Sequence, residues 1–240
     1  MNQYIPELSK QYKDKIIIIT GSTQGSGAET AKLLAHRGAA GITICGRNEK
    51  KGLQVKSEIE SIGCKCIYVK ADLNEVEECQ NIVKKTDATF GKINSLINVA
   101  GFTERGTILS TTIDNYNKNF NINTRAPFLL MQESIKIMIR EKIQGTILNV
   151  LSMAMYSGMP FLTAYSGSKA ALAIITKNVA NGVSGHKIRV NALNIGWTDT
   201  PGEDTIQKKF HDGGQNWLKK AEAKVPFKRL TKPLDVARAA

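Results

Sequence analysis

Tyr165, Ser166, Gly167, Ser168 and Lys169 set a phenol and an ammonium four residues apart, and Ser152 lies thirteen residues upstream at the end of an apolar run. On a helix, positions four apart share a face. A carbonyl is reduced only if its oxygen receives a proton while hydride reaches its carbon. A free tyrosine, with a pKa of about 10, is a poor partner for that step near neutrality. A lysine one turn away favours the phenolate and is expected to lower that pKa. The Ser152 hydroxyl can hold the substrate oxygen against the phenol. Tyrosine and lysine could also meet by chance on an ordinary helix, so the rest of the chain must decide.

A second set of residues has the chemistry of an anion site. The run Ile16 to Thr20 leads directly into Gly21, Ser22, Thr23, Gln24, Gly25, Ser26 and Gly27, and a helix is predicted to start near Ala28. Strand, glycine turn and helix N-terminus bring free backbone amides and a helix dipole onto phosphates, and glycine permits close approach. The spacing is T-G-x-x-x-G-x-G, different from G-x-G-x-x-G, and its place on the first strand gives it weight. At the end of the second strand, where an acid usually meets the adenosine ribose, the chain has Gly46 and Arg47. A missing side chain beside a guanidinium makes room for a 2′-phosphate and can grip it, so NADP is expected, with NAD as the alternative. Arg47 read as a plain surface charge would remove that preference. Gln24 stands where a second basic residue would strengthen it.

These residues need a scaffold. The chain has 240 residues, enough for one large α/β domain, and short β-branched runs recur at even intervals: 16–19, 42–45, 66–69, 96–99, 147–151 and 188–193. They scarcely alternate, as expected of strands covered on both faces. Amphipathic stretches at 29–37, 49–62, 76–90 and 164–183 lie between them, so the expectation is a doubly wound parallel sheet flanked by helices, in one domain over residues 1–240. Cys45, Cys64, Cys66 and Cys79 lack paired metal spacing and read as reduced and structural, with Cys64 and Cys66 expected on opposite sheet faces; no metal is expected. The polar opening Met1 to Lys15 has no secretory pattern, no run is as long as a membrane span, and a cytoplasmic enzyme is the expectation. The net charge of +12 attracts polyanions, but the lysines are scattered and no nucleic-acid motif accompanies them, so no specific nucleic-acid partner is expected.

From about Lys15 onward the chain resembles the short-chain dehydrogenase/reductase family, carried by motifs in family order. These are Thr20 to Gly27, then Ala71-Asp72-Leu73, Asn98-Val99-Ala100-Gly101, Asn123, Ser152, Tyr165 with Lys169, and Ile195-Gly196 through Thr200. The resemblance implies a Rossmann-type sheet of six to seven strands and hydride transfer between NADP(H) and an alcohol or carbonyl compound. It implies that Tyr165 is the general acid/base, that Lys169 tunes it and holds the nicotinamide ribose, that Ser152 orients the substrate oxygen, and that Asn123 supports a proton relay through water. Asp72 and Leu73 would border the adenine. Asn98, Ala100 and Gly101, with Gly196, Thr198 and Thr200, would line the nicotinamide side. Asn98 and Asp72 could instead brace strand ends.

Three departures qualify the resemblance. Val99 replaces an asparagine, which is expected to remove a brace on the central strand. Ile195-Gly196 replaces proline-glycine, and so relaxes the backbone beside the nicotinamide. The sequence stops at Ala240, where relatives continue to a seventh strand, so either the chain is truncated or its sheet ends early, which leaves homo-oligomerisation open. Residues 201–225 match the family's substrate flap and read as irregular, with two adjacent glycines. Met153, Met155, Met159, Phe161 and Trp197 are candidates for apolar pocket walls or for core. The rival reading is a cofactor-binding regulator or scaffold without turnover, which the complete set of Asn123, Ser152, Tyr165 and Lys169 argues against.

Overall fold

The computed structural model describes residues 8–211 and 214–240, so Met1 to Gln3 and the rest of the opening heptapeptide, and the first of the two flap glycines, lie outside it. Six strands form one parallel sheet: β1 (Ile16–Ile19), β2 (Gly41–Gly46), β3 (Lys65–Lys70), β4 (Ser95–Asn98), β5 (Thr146–Ser152) and β6 (Arg189–Ile195). Their order is β3-β2-β1-β4-β5-β6. Crossovers between parallel strands are right-handed, so a sheet built outward in two directions must place its helices on opposite faces. Helices α1 (Gly25–His36) and α2 (Glu49–Ser61) cover one face. On the other lie α3 (Val76–Phe90), α5 (Ala126–Arg140) and α6 (Thr163–Gly182), while α4 (Ile113–Phe120) precedes α5.

The runs of isoleucine fail to alternate because both faces are dry. In β1 all four residues are buried; Ile17 and Ile19 enter the cluster under α1 and α2, and Ile18 enters the one under α3, α5 and α6. Cys64 and Cys66 sit in the same cluster, contrary to the opposite-face expectation, because residues two apart along a strand point the same way. All four cysteines are free and buried, and burial pushes the thiols of Cys45 and Cys66 up to about 12.

Three boundaries differ from the sequence reading. Helix α1 begins at Gly25 and takes in the last two turn glycines. Residues 201–225 are helical over most of their length, as α7 (Pro201–Phe210) and α8 (Trp217–Lys224). Thr200 starts α7 by accepting a hydrogen bond from the Glu203 amide at 3.1 Å, and Pro201 follows at the position where a missing N–H costs nothing. Between α4 and α5 the chain runs as a π-helix over Asn121–Arg125. A last helix, α9 (Pro233–Ala239), packs against α1. Among the described residues the sheet has six strands, with β6 paired only to β5.

The central strands are also tied by side chains. Asn98, at the end of β4, donates to Asn149 Oδ1 on β5 at 2.8 Å, and Asn149 donates in turn to Thr176 Oγ1 on α6 at 2.9 Å. Asn98, the residue before Val99, braces the central strands in its own right. Removing a partner from such a buried chain leaves desolvated amides unpaired. Asn149→Ala should destabilise the fold by about 1–3 kcal/mol, read as a lower urea midpoint with an unchanged slope.

Candidate active site

A parallel sheet presents the carboxyl ends of its strands along one edge, and where the strand order reverses, between β1 and β4, the outgoing loops part to leave a crevice. The crevice here is about 900 Å³, and every strand's exit contributes to its wall. From β1 come Gly21, Thr23, Gly25, Ser26 and Gly27; from β2, Gly46 and Arg47; from β3, Asp72 and Leu73. From β4 come Ala100 and Gly101; from β5, Ser152; from α6, Tyr165 and Lys169; from beyond β6, Gly196, Thr198 and Thr200.

At the first turn the backbone geometry demands glycine. Gly21 has φ +62°, and a Cβ there would stand 2.8 Å from the Ala100 Cα; a Cβ on Gly27 would stand 2.4 Å from the Gly21 carbonyl oxygen. No side chain caps α1, so its first-turn amides are free to meet an anion. Ser22 serves the scaffold instead. Its hydroxyl donates to the Ile19 carbonyl at 2.6 Å and accepts from the Cys45 amide at 3.0 Å, so it is buried and does not reach the crevice.

Gly46 also has a different local reason from the one expected. A Cβ on it would come within 2.7 Å of Thr23 Cγ2, so the missing side chain makes room for the first turn. Arg47 is exposed at the rim and makes no ion pair or hydrogen bond among the described residues. Nearby, Lys51 donates to Gln24 at 2.6 Å. Asp72 accepts from the Asn74 amide at 3.0 Å in a short turn, which braces the loop while the residue faces the crevice. Asn98 does not line the crevice. Its amide is turned toward β5, the bracing alternative that the sequence left open.

The acid/base group comes together as β5 and α6 pack. Ser152 ends β5, and it lines the crevice with Tyr165, close enough that its hydroxyl favours the phenolate. Lys169, one turn further along α6, is buried, and its Nζ donates to the Val150 carbonyl at 2.8 Å. Burial depresses its pKa from 10.5 to about 8. Tyr165 goes the other way. Burial raises it above the ordinary value of 10, the Ser152 hydroxyl opposes this, Glu203 adds to it and Arg105 offsets it. Within the protein the expected lowering by Lys169 is thus absent, because burial costs both groups their charged forms.

Asn123 lies in the π-helical segment, fully buried and outside the crevice. Its Oδ1 accepts from the Phe102 amide at 2.8 Å, and its Nδ2 donates to the Phe102 carbonyl and to Ser168 Oγ, each at 2.9 Å. A Cβ on Gly101 would lie 3.8 Å from both Asn123 Oδ1 and Lys169 Nζ, so the two flank this glycine. Of the apolar candidates, Met153, Met159, Phe161 and Trp197 line the crevice, whereas Met155 packs into the core.

Sequence reasoning missed a polar cluster opposite Tyr165. Arg105 Nη2 meets Glu203 Oε1 at 3.4 Å, and the same oxygen accepts from Trp197 Nε1 at 2.8 Å and from Gln207 Nε2 at 2.7 Å. Arg105 Nε donates to His211 Nε2 at 3.1 Å. No motif marks these residues. The one available signal was an arginine four residues past the Gly101 turn, in a segment otherwise polar.

The residues fit a dinucleotide: a glycine cradle at an uncapped helix start, a free guanidinium at the far rim, and an ammonium that uses one of its three N–H groups on Val150. Fold and site together define a nucleotide-binding doubly wound oxidoreductase. A family model described as short chain dehydrogenase matches residues 15–210, and the chain belongs to that family, whose members bind NAD(P). It is 34% identical over 226 residues to an uncharacterized oxidoreductase of Thermotoga maritima, covering 94% of this chain and 88% of that one. A 3-oxoacyl-(acyl-carrier-protein) reductase of the same organism is 29% identical over 93% of this chain and 87% of its own. In fold, the chain matches a solved actinorhodin polyketide ketoreductase with NADPH at a TM-score of 0.87 and 24% identity, over 94% of this chain and 88% of that one. Among the described residues no helix is long and apolar enough to cross a membrane.

The depressed Lys169 pKa has a signed consequence. Between about pH 8 and 10.5 the unfolded lysine holds its proton while the folded one releases it, so unfolding takes up a proton and stability rises with pH across that window. Lys169→Met has no such titration. Its stability relative to the parent should be highest below about pH 8 and decline above it, as measured by urea unfolding of both proteins at several pH values. The cysteines, which titrate alike in both proteins, cancel in the comparison.

Proposed function

We propose that the protein is an NADP(H)-dependent reductase of a carbonyl compound to its alcohol, with Tyr165 as the general acid, Ser152 holding the substrate oxygen, and Lys169 binding the nicotinamide ribose. A bound nicotinamide supplies the hydride. The observation that carries the reading is the convergence of Ser152, Tyr165 and Lys169 in the wall of one crevice. A phenol whose pKa lies above 10 is protonated throughout the neutral range, as an acid for reduction must be. In reduction the Tyr165 hydroxyl gives its proton to the carbonyl oxygen, and in the reverse direction the phenolate takes it back.

Lys169 would offer its two remaining N–H groups to the ribose hydroxyls, and its readiness to lose a proton near pH 8 suits it to resupply the phenol. The relay part given to Asn123 would run through its main-chain carbonyl, because its side-chain amide is spent on Phe102 and Ser168. Arg47, exposed at the rim beside the first turn and without a partner among the described residues, would hold the 2′-phosphate of NADP with paired hydrogen bonds. The 3-oxoacyl reductase similarity is consistent with the reductive direction.

Tyr165→Phe should keep cofactor affinity and lose about 10²- to 10⁴-fold in kcat, followed at the absorbance of reduced nicotinamide over a panel of aldehydes and ketones. Turnover near the parent level would remove Tyr165 from the mechanism. Arg47→Asp should weaken NADP binding by at least about tenfold while NAD binding changes little, read by calorimetric titration. An equal effect on both cofactors would show that Arg47 does not read the 2′-phosphate.

A further inference from the structure

Arg105 is held more firmly than a surface arginine. Its guanidinium stands 5.5 Å from the Phe161 ring centroid, its Nε donates to His211 and its Nη2 to Glu203. The backbone is fixed as well, since Asn115 donates to the Arg105 carbonyl at 3.3 Å and the Gly106 amide donates to the Phe161 carbonyl at 3.0 Å. The side chain is only 13% exposed, and it lines the same crevice as Tyr165.

These anchors leave Nη1 with no hydrogen bond among the described residues, although it belongs to a group that faces the crevice. Glu203 keeps its charge beside Arg105, but its Oε1 is 3.4 Å from Nη2 and makes closer bonds to Trp197 and Gln207, so it engages one edge of the guanidinium and leaves the other for a second partner. Lys220 and Lys224 line the crevice on the same flap. A planar cation with donors to spare, fixed on one side of a pocket, suits an oxyanion held in the plane of its fork. Arg105 and Tyr165 also lie close enough to perturb each other's ionisation, so the anion would sit within a small molecule's length of the reacting oxygen.

We propose that Arg105 is a substrate-binding residue and that the crevice takes carbonyl compounds bearing a carboxylate a few atoms from the C=O, an oxo acid in place of a neutral ketone. This rests on the hydride-transfer reading above. The reaction itself is unchanged: hydride from reduced nicotinamide adds to the carbonyl carbon, the Tyr165 proton adds to its oxygen, oxidised nicotinamide leaves, and the carboxylate is not altered.

The test compares 4-carboxybenzaldehyde with methyl 4-formylbenzoate, and acetoacetate with methyl acetoacetate, in the parent, Arg105→Met and Arg105→Lys. In the parent, kcat/KM for the acids should exceed that for the esters by about tenfold or more. Arg105→Met should collapse that ratio chiefly through KM for the acids, and Arg105→Lys should restore part of it, which a merely structural role would not do. Added salt should erode the parent's preference. A parent that favours the esters, or an Arg105→Met protein that keeps the parent's ratio, overturns the proposal while leaving hydride transfer standing. Absence of turnover with all four compounds and with simple aldehydes overturns the hydride-transfer reading and this inference with it.

Discussion

The site depends on one buried hydrogen bond, from Lys169 Nζ on α6 to the Val150 carbonyl on β5. An ammonium away from water is costly unless a strong acceptor meets it, and a backbone carbonyl near a strand's end is such an acceptor. Satisfying it fixes both the depth and the rotation of α6 against β5. Tyr165, one turn earlier on that helix, then has no choice but to face Ser152, two residues beyond Val150. Further along the same helix, Thr176 receives Asn149, so α6 is pinned to β5 at two levels. The depressed pKa of Lys169 is the electrostatic record of that constraint.

The opposite wall is arranged on different terms. On the β5 side, strand and helix meet through main-chain and amide groups inside the core. On the flap side, α7 is joined to the loop after β4 by a largely buried ion pair, Arg105 with Glu203, and by an exposed one, Lys209 with Glu104 at 2.8 Å, while Phe161 in the segment before α6 stands edge-on to His211 at 5.3 Å. Of the two ion pairs only the second is open to water, where such a contact is weak. The chemical wall is thus held from within the core, and the recognition wall by one buried ion pair with solvated contacts around it.

Much of this was legible in the residues. The six strands and the helices between them follow from isoleucine and valine runs whose failure to alternate signals cover on both faces, as β1 shows directly. The Tyr165, Lys169 and Ser152 grouping follows from helical spacing and the end of a strand. What failed depended on direction, which a sequence does not state. Ser22 sits in the middle of the glycine turn but folds its hydroxyl back to Ile19, and Asn98 ends a strand but turns its amide sideways to β5. The expected acidified phenol failed for a related reason, because adjacency along a helix says nothing of how dry the neighbourhood is. The π-helical turn around Asn123 and the Arg105 cluster are products of long-range packing, and no local pattern announces either.

The flap brings one more property with it. The chain has only two tryptophans, and both Trp197 and Trp217 border the crevice, their rings stacked with centroids 6.1 Å apart. Each indole N–H is tied to an acid of α7, Trp197 to Glu203 and Trp217 to Asp204. The tryptophan emission therefore originates entirely beside the site. An unlabelled sample carries its own optical sensor there.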